Sequence, residues 1–379
     1  MSTFAIIAGG GTAGHVVPGL AIAQELVARG VPTESVRYVG SSRGIETRLV
    51  PDAGFPLAVL PGRGIQRKLA LANVGAIFGL IAAVIQGIVL VGRARPAVVV
   101  GLGGYASVPC VLGAVLWRVP IVVAEQNAVP GAANRMAGRF AKACAVSFEC
   151  TDLPRAVWTG NPVRREVLAI ADASAADRAD ARERLGIDAD RSLIAVFGGS
   201  LGARRINHSV ADAVAAIGHR SSLAVRHVSG RRDHAELLAR TADHGALALQ
   251  YDLVEYEDDM PSVYAAADVV LCRAGASSVA ELTVAGVPSI LVPLPGAPGD
   301  HQTANAQALV EGGAARLVSD ADFDAERARV EIEDLVDDLD RRAAMASAAR
   351  GLARPDAAAA VVDLVAIHAR RPVPEEASS

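Results

Sequence analysis

Potential ligand-binding side chains follow two short apolar runs in the second half of the chain, at residues 268–272 and 289–293. Both runs are rich in β-branched residues, which is typical of strands buried on both faces. The carboxyl ends of parallel strands are where α/β sheets bind ligands. The residues that follow these runs include Arg273, Gly275, Ala276, Ser277, Ser278, Glu281, His301, Gln302 and Asn305. Backbone N–H groups and an arginine suit phosphates, and a carboxylate suits ribose hydroxyls, so this stretch predicts a nucleotide site.

Glu281 also fits a purely local role. Ser278 stands three residues before it, as in a capping box that opens a helix, and Gly286 followed by Pro288 would end that helix. In that interpretation the carboxylate only caps its own helix. The local pattern leaves capping and ligand binding open.

A second candidate site lies near the N-terminus. Residues 4–8 form an apolar run that leads into the glycine-rich segment 9–15 and then into a predicted helix at 18–29. Glycines let the backbone approach an anion closely, and a helix N-terminus carries about half a positive charge. This segment therefore predicts a second anion-binding loop.

The spacing of Gly9, Gly11 and Gly14 satisfies the dinucleotide-binding fingerprint, so a dehydrogenase has to be considered. That fingerprint also requires an acid about 20 residues further on, at the end of the second strand, to bind the ribose. The second predicted strand, 36–39, is followed by segment 40–43, which contains no acid. NAD binding is therefore disfavoured.

A third loop of the same kind follows near the middle of the chain. The apolar run 193–197 leads into the glycine-rich segment 198–203, and a predicted helix at 205–217 comes next. The chain thus restarts a unit of strand, glycine-rich loop and helix. Two such units predict two nucleotide-binding-type α/β domains that face one cleft.

Composition excludes several functional classes. The chain has 379 residues, 51% of them hydrophobic, which is enough for two domain cores. A net charge of −4 and the lack of a Lys/Arg stripe argue against nucleic-acid binding. The four cysteines, at positions 110, 144, 150 and 272, show no metal-site spacing and follow no secretory signal, so reduced thiols in the cytosol are expected.

Residues 69–92 carry no charge, and as one helix they would extend about 36 Å, long enough to span a bilayer. Spanning would separate the predicted strands 4–8 and 97–101, which one sheet requires, and basic residues flank both ends of the run. Large apolar side chains fill one half of the helical wheel and small ones most of the other. Two interpretations stay open: ordinary core with a loop at Gly87, or a helix whose large face lies on an anionic membrane surface.

Six motifs occur in an order that resembles a known family. They are GGGTAGHVVPGL after the first strand, GLGGY at 101–105, EQN at 125–127, GNPVR at 160–164, GGSLGA at 198–203, and the block 268–305. Together they resemble the MurG family, the UDP-GlcNAc-dependent N-acetylglucosaminyltransferases of peptidoglycan synthesis, over essentially residues 4–365. The resemblance implies a GT-B fold, which consists of two Rossmann-like parallel-sheet domains facing a cleft.

The resemblance also implies the reaction. Members invert the sugar as they move GlcNAc from UDP-GlcNAc to the 4-hydroxyl of MurNAc in undecaprenyl-pyrophosphoryl-MurNAc-pentapeptide, which converts lipid I to lipid II. They need no metal or other cofactor, and they act as peripheral proteins on the cytoplasmic face of the cell membrane. The implied partners are thus UDP-GlcNAc, lipid I and the anionic inner membrane surface, without nucleic acid.

Domain boundaries are expected near the segment Gly160-Asn161-Pro162, which looks like a hinge. Residues 1–161 would form the acceptor and membrane-associating domain, with further strands at 36–39, 57–60, 97–101 and 120–124. Residues 162–355 would bind UDP-GlcNAc, with strands near 193–197, 224–228, 247–250, 268–272 and 289–293. By resemblance, 356–379 comprise a helix that crosses back to the first domain and a disordered tail.

The family motifs place the donor mainly on the second domain. Glu281 would bind the ribose hydroxyls, Ser200 the phosphate and Gln302 the sugar. Further implied donor residues are Asn127, Arg164, Arg273, Gly275, Ala276, Ser277 and Ser278. The uracil would meet the backbone of 256–258, where Glu257 stands in place of the hydrophobic residue often found there.

The acceptor would meet the first domain at Thr12, Ala13, Gly14, His15, Gly103, Gly104 and Tyr105. His15 and Glu125 are the candidate bases for the attacking hydroxyl. The positive end of a helix disfavours a protonated ring, so His15 would be neutral and able to accept a proton. A role in orienting the loop by hydrogen bonding is the alternative for His15. The family often has histidine at the position of Ala124.

Other functions share this fold and remain alternatives. One is another GT-B lipid glycosyltransferase, such as a diacylglycerol galactosyltransferase. A second is a UDP-GlcNAc 2-epimerase, which should carry extra acidic groups at the sugar. A third is a membrane-bound scaffold that keeps only UDP-sugar binding, against which the retained Ser200, Glu281 and Gln302 argue.

Overall fold

The computed structural model describes residues 3–42, 44–61, 72–199 and 202–373, and for 72–78 and 243 it describes the backbone alone. The chain divides into two units. Unit 1 comprises Met1–Arg164 with Arg354–Ser379, and unit 2 comprises Arg165–Ala353. Each unit contains one parallel β-sheet flanked by helices, so the predicted class of two parallel-sheet α/β domains is confirmed.

Unit 1 contains a seven-stranded sheet in the order β3-β2-β1-β4-β5-β6-β7, and all neighbouring strands are parallel. Its strands are β1 (Ala5–Gly9), β2 (Val36–Ser41), β3 (Leu57–Leu60), β4 (Val98–Gly103), β5 (Ile121–Glu125), β6 (Ala143–Val146) and β7 (Ala156–Trp158). The helices before the second unit are α1 (Ala13–Ala28), α2 (Glu46–Asp52), α3 (Ala72–Ala94), α4 (Ser107–Leu116) and α5 (Ala132–Gly138), with a 3₁₀ turn at Thr33–Ser35.

Unit 2 contains a six-stranded parallel sheet in the order β10-β9-β8-β11-β12-β13. Its strands are β8 (Ser192–Phe197), β9 (Leu223–Val228), β10 (Gln250–Val254), β11 (Val269–Cys272), β12 (Ser289–Leu291) and β13 (Ala315–Leu317). Its helices are α6 (Arg165–Leu168), α7 (Ala175–Leu185), α8 (Arg204–Ile217), α9 (His234–Thr241), α10 (Met260–Ala266), α11 (Ala276–Ala285), α12 (His301–Glu311), α13 (Ala325–Asp337) and α14 (Leu339–Leu352). Short 3₁₀ turns lie at Ala242–His244 and Pro298–Asp300.

The last helix, α15 (Ala357–His368), belongs to unit 1. Val361, Val362 and Val365 are fully buried in the apolar cluster that contains residues of β1, β4 and α1. Arg29, the C-cap of α1, donates to the Ala359 carbonyl at 3.0 Å. The C-terminal helix therefore packs on the sheet that contains the first strand of the chain.

Apolar residues cover the first sheet on both faces. The neighbours Ile6 and Ile7 of β1 lie in different clusters, one with α3 and α4 and the other with α1 and α15. Successive strand residues point to opposite faces, so β1 is buried on both. This explains why the central strands are continuous apolar runs rather than alternating ones.

Most predicted strands occur within a few residues of their expected positions. The strand expected at 247–250 is shifted, since β10 is Gln250–Val254. Three strands were not predicted, namely β6, β7 and β13, which have only three or four residues. The first helix was expected at 18–29 but begins at Ala13, so part of the first glycine-rich segment is helical.

The uncharged run forms a continuous helix over its described part, since α3 passes through Gly87 without a break. The expected loop at Gly87 is therefore wrong. A Cβ atom at Gly87 would lie 2.5 Å from Pro109 Cβ, and one at Gly113 would lie 3.0 Å from Ile88 Cα. Glycine here lets α3 and α4 approach closely rather than interrupting a helix.

The outer face of α3 carries large apolar side chains. Ile81, Ile85 and Val89, at i, i+4 spacing, are 51%, 58% and 39% exposed, whereas Ala83 and Val91 are buried. Within the described ranges, no helix is both long and apolar enough to cross a membrane.

Candidate active site

The helix that carries Glu281 starts earlier than the capping box requires. Gly275, in extended conformation, is the N-cap of α11, so Ser278 lies inside the first turn. The predicted capping box is wrong, because a residue within the helix cannot serve as its N-cap. No side-chain cap is found for α11 among the described residues. The local role for Glu281 is thereby removed.

The Glu281 carboxylate is fixed by a buried phenol. Glu281 is 5% exposed, and its Oε2 accepts a hydrogen bond of 2.9 Å from the hydroxyl of Tyr264. Tyr264 lies on α10 and is 2% exposed. Carboxylate oxygens accept hydrogen bonds, which suits the hydroxyl groups of a ribose. Sequence inspection missed Tyr264, which has no motif of its own.

The N-terminus of α11 is suited to a phosphate. Gly275, Ala276 and Ser277 place their backbone N–H groups in its first turn, where the helix dipole favours an anion. The Ser277 Oγ is buried and meets no hydrogen-bond partner among the residues described. A Cβ atom at Gly275 would meet nothing within 4 Å, so the backbone there is open to close approach.

Arg273 is committed to the protein itself. Its Nη1 donates to the carbonyl oxygens of Val292 at 3.0 Å and Pro293 at 2.9 Å, and it lies 2.6 Å from Asp320 Oδ1. These contacts fix the end of the strand segment after β12. The structure therefore places Arg273 as a support for the neighbouring loop.

Two amides of α12 connect the two loops predicted to bind the donor. Gln302 Oε1 accepts from the N–H of Leu294 at 2.9 Å. Asn305 is fully buried, and its Nδ2 donates to the Ala274 carbonyl at 3.1 Å. The loops after β11 and β12 are thus linked through one helix. The orientation of Gln302 leaves its amide N–H₂ as the donor end for a sugar hydroxyl.

Gly202, in the glycine-rich segment 198–203 of unit 2, is held in place by a buried polar network. Asn207 Nδ2 donates to the Ser229 carbonyl at 2.8 Å and to Asp233 Oδ2 at 3.0 Å, and its Oδ1 lies 3.1 Å from His227 Nε2. Gly202 has φ +76°, and a Cβ there would lie 2.1 Å from the Ser229 oxygen. Ser200 lies outside the described residues.

His227 belongs to that network as a neutral ring. Its Nδ1 lies 2.9 Å from the Tyr251 hydroxyl, and the residue is fully buried. Burial lowers the pKa of His227 to about 3, with a smaller contribution from His234. The sequence offered no signal for this anchor, because Asn207 and His227 come from different elements.

The expected uracil loop is fixed by Glu257. Arg226 on β9 donates from Nε to Glu257 Oε2 at 2.8 Å, and its Nη2 lies 2.7 Å from the same oxygen. Glu257 Oε1 also accepts from the Asp259 N–H at 3.0 Å. The acidic side chain thus turns toward the protein and holds the backbone in place.

In unit 1, the predicted acceptor loops lie side by side. Thr12 is the N-cap of α1, and Ala13, Gly14 and His15 form its first turn. His15 Nδ1 lies 3.1 Å from Thr12 Oγ1. A Cβ atom on Gly103 would lie 3.3 Å from His15 Nε2. The half-buried His15 is therefore next to the GLGGY segment, as its predicted role requires.

The first glycine-rich loop has an anchor that sequence inspection missed. Glu46 is fully buried, and its Oε2 accepts from the Gly11 N–H at 2.9 Å. Its Oε1 accepts from the N–H of Ser41 at 2.7 Å and from the Ser41 hydroxyl at 2.8 Å. Glu46 is the first acid after β2, so a wider search for the ribose acid would have found it. It binds the loop instead of a ribose.

Glu125 ends β5 and has its oxygens occupied. Oε1 accepts from the N–H of Asn127 at 2.9 Å and from its Nδ2 at 3.3 Å. Oε2 accepts from the Gly131 N–H at 3.0 Å and from Asn134 Nδ2 at 2.9 Å. Four donors thus surround this buried carboxylate, which indicates a structural role. The geometry makes Glu125 an anchor for Asn127.

Two further predicted site residues of unit 1 are Tyr105, expected to meet the acceptor, and Arg164, expected to meet the donor. The Tyr105 hydroxyl donates to the Pro61 carbonyl at 2.8 Å, and burial raises the pKa of this phenol. Arg164 is the last residue of unit 1 before α6. Among the described residues, no cluster of three His, Cys, Asp or Glu side chains could hold a metal ion.

Comparison with known proteins first defines a class. Residues 5–146 match the glycosyltransferase family 28 N-terminal domain, and residues 193–361 match the glycosyltransferase family 28 C-terminal domain. The two matched segments correspond to the two sheets described above. These matches define a two-domain glycosyltransferase.

Individual relatives narrow this class. The UDP-N-acetylglucosamine--N-acetylmuramyl-(pentapeptide) pyrophosphoryl-undecaprenol N-acetylglucosamine transferase of Myxococcus xanthus is 39% identical over 364 residues, which cover 95% of this chain and 91% of the relative. The crystal structure of Acinetobacter baumannii MurG is 32% identical, with a TM-score of 0.75 over 96% of this chain and 99% of that one. This chain belongs to the MurG family, and its fold is GT-B.

A more distant match concerns the fold alone. The UDP-GlcNAc 2-epimerase of Neisseria meningitidis bound to UDP-GlcNAc has a TM-score of 0.65 at 13% identity, over 96% of this chain and 99% of that one. The epimerase alternative therefore shares the architecture, and family membership points away from it.

Proposed function

We propose that this protein transfers N-acetylglucosamine from UDP-GlcNAc to the 4-hydroxyl of the muramyl sugar of undecaprenyl-pyrophosphoryl-MurNAc-pentapeptide, which converts lipid I to lipid II. The observation that carries the proposal is identity of about 40% with transferases of this name over nearly the whole chain. The reaction is inverting and belongs to peptidoglycan synthesis.

Donor binding is assigned to unit 2. Glu281, oriented by Tyr264, accepts hydrogen bonds from the ribose hydroxyls. The first turn of α11 and the Ser277 hydroxyl meet the pyrophosphate, where N–H groups and the helix dipole stabilise the negative charge that develops on departing UDP. Gln302 binds the sugar hydroxyls. By the family motifs, Ser200, Asn127 and Arg164 complete the donor contacts.

Acceptor activation is assigned to unit 1. His15 takes the proton of the 4-hydroxyl as its oxygen attacks the anomeric carbon, and the bond from that carbon to the UDP oxygen breaks with both electrons. The contact of His15 Nδ1 with Thr12 Oγ1 and the occupied oxygens of Glu125 favour His15 as the base. Thr12–Gly14, the 103–104 backbone and Tyr105 meet the acceptor.

The direct test is transfer of labelled GlcNAc to a short-chain lipid I analogue, with EDTA present. We expect labelled disaccharide-lipid to form at the same rate with and without EDTA. Backbone N–H groups and Arg164, rather than a metal ion, would stabilise the negative charge of the pyrophosphate. Conversion of UDP-GlcNAc to its 2-epimer, or transfer to diacylglycerol instead, would refute the proposal.

We also propose peripheral attachment to the cytoplasmic face of the membrane, through the region around residues 63–93. The exposed Ile81, Ile85 and Val89 of α3 support this, as does Trp117, which is 44% exposed and donates from Nε1 to the Ile88 carbonyl at 3.0 Å. Arg93 and Arg95 are exposed at the end of α3. Apolar side chains beside basic residues suit an anionic bilayer. The basic residues 63, 67 and 68 lie outside the described ranges.

Vesicle sedimentation tests this attachment. Ile85→Glu should reduce binding to phosphatidylglycerol vesicles, and high salt should weaken binding of the parent protein because surface charges are screened beyond about 8 Å. Leu238→Glu, an equal change at an exposed site on α9, is the matched control. Equal sedimentation of both variants would refute the assignment to α3, and retention after alkaline carbonate would contradict peripheral attachment.

A further inference from the structure

Unit 2 contains a cavity of about 340 Å³ on the edge of the sheet opposite the donor loops. Ala267 and Asp268, just before β11, and Val287 and Pro288, just before β12, line it. The donor loops follow the other ends of the same strands. A water molecule occupies about 30 Å³ of liquid, so the cavity is large enough for a small organic molecule.

The charged side chains of this cavity are unbalanced. Arg178, Arg342 and Arg350 line it together with one carboxylate, Asp268. Asp268 already accepts from Arg178 Nη2 at 2.7 Å and from Arg182 Nη2 at 2.7 Å. Burial lowers the pKa of Arg178, attraction to Asp268 opposes this, and repulsion from Arg182 and Arg342 lowers it further. One carboxylate therefore faces an excess of guanidinium groups.

Arg342 is the arginine of this cavity that is buried with unsatisfied N–H groups. It is 9% exposed, and its Nη1 lies 3.4 Å from Asp268 Oδ1, close enough for attraction but not aligned for a hydrogen bond. Within the described part of the chain, its Nε and Nη1 have no hydrogen-bond acceptor. Buried N–H groups without acceptors are unfavourable, and the fork of a guanidinium matches both a carboxylate and a phosphate.

Support of Asp268 does not account for all three arginines. Arg178 and Arg182 both bond Asp268, and Arg182 also donates to the carbonyl oxygens of Arg191 at 2.7 Å and Ala189 at 3.1 Å. Arg342 adds no hydrogen bond to this arrangement. Its charge is thus left for another anion.

We infer that this cavity, the arginine pocket (Arg178, Asp268, Arg342 and Arg350), binds a small molecule that carries a phosphate or carboxylate group. Its charged group would lie between Arg178 and Arg342. The apolar part would contact the remaining walls, which include Ile170, Tyr264, Val287, Pro288, Leu339 and Ala346. The pocket is separate from the donor site, although Tyr264 contacts both, since its hydroxyl bonds Glu281.

Inorganic phosphate is the first probe, and acetate at equal ionic strength is the second. Thermal unfolding is followed during titration with each anion, with UDP at saturation so that the donor loops are occupied. We expect a saturable rise in Tm with at least one anion, and whichever gives the tighter curve identifies the preferred group. Anion exclusion from the surface gives a rise that does not saturate, and that result for both anions would overturn the inference.

Variants localise the effect. Arg342→Met should weaken the apparent Kd about tenfold to a hundredfold, because a charge-assisted hydrogen bond is lost. Arg341→Met, on the same helix but paired with Asp338 at 3.2 Å, should bind as the parent does. Ala346→Leu keeps every charge but fills the cavity, and it serves if Arg342→Met fails to fold. Unchanged saturable binding in Arg342→Met or Ala346→Leu would overturn the inference, whether or not UDP binds.

Discussion

The two glycine-rich loops follow the same pattern of strand, loop and helix but are held in opposite ways. In unit 1 the buried carboxylate of Glu46 accepts from the Gly11 N–H itself. In unit 2 Asn207, which also contacts His227 and the carboxylate of Asp233, donates to the Ser229 carbonyl that lies against Gly202. A carboxylate bonded to a loop N–H occupies a donor that a ligand could use, whereas the network of unit 2 reaches Gly202 through a backbone carbonyl. Under the proposed function, loss of each anchor should affect a different substrate, the acceptor in unit 1 and the donor in unit 2.

The largest expected effect tests the catalytic role of the first loop. His15→Ala should lower turnover by roughly 10²–10⁴-fold, because a general base contributes about that much, while the affinity for UDP-GlcNAc stays within a few fold. Steady-state kinetics with calorimetry of UDP-GlcNAc binding measures both. Thr12→Val, which removes the hydroxyl near His15 Nδ1, is the milder companion variant.

The opposite result would contradict the roles proposed for the two loops. If His15→Ala weakened UDP-GlcNAc binding and preserved turnover, His15 would be a donor-binding residue. Glu125 would then need to serve as the base despite its four hydrogen bonds.

Donor recognition by unit 2 predicts the next largest effect. Glu281→Ala should weaken UDP binding about tenfold to a hundredfold, because hydrogen bonds to a charged acceptor contribute about 1.5–3 kcal/mol. Tyr264→Phe should weaken UDP binding less, since it removes only the hydroxyl that orients the carboxylate. Calorimetric titration with UDP checks both variants. An unchanged Kd in Glu281→Ala would remove the ribose assignment.

Removing each anchor in turn tests whether the two loops serve different substrates. Glu46→Gln should destabilise the fold by about 1–3 kcal/mol, because an amide cannot accept from all three of its present donors, and should raise the acceptor KM without changing UDP affinity. Asn207→Leu should instead weaken UDP binding, with the acceptor KM unchanged. Denaturant unfolding and two-substrate kinetics separate these outcomes. Equal effects of both variants on UDP binding would mean that the loops share one role.

Sequence patterns predicted the parts of this molecule that depend on local order. The central strands were found because they are continuous apolar runs, and the glycine-rich loops because their spacing is fixed by backbone geometry. Tyr264, Arg226 and Asn207 were missed because each acts on a residue from another element. Their contacts depend on the strand order, which no local pattern encodes.

Local patterns also misplaced two features. The spacing of Ser278 and Glu281 fits a capping box, but it does not determine where the helix starts. The helix starts at Ala276, so its N-cap is Gly275. Gly87 was expected to break a helix, yet it lies against α4, where glycine permits close packing. In both cases tertiary contacts decided between conformations that the sequence allowed.

The smallest expected effect concerns the pH dependence of the neutral anchor. His227 has a pKa of about 3 in the folded protein, against an ordinary value of 6.5, chiefly because of burial. Below pH 6.5 the unfolded chain therefore binds a proton that the folded chain does not, so stability falls as the pH falls. As the pH falls from 7.5 to 5.5, protonation of this histidine in the unfolded chain should lower the free energy of unfolding by about 1.4 kcal/mol. His227→Gln, which has no titratable ring, should lose that much less stability over the same range. Urea unfolding at the two pH values measures the difference, and parallel losses in parent and variant would show that His227 is not the neutral group that holds the second loop.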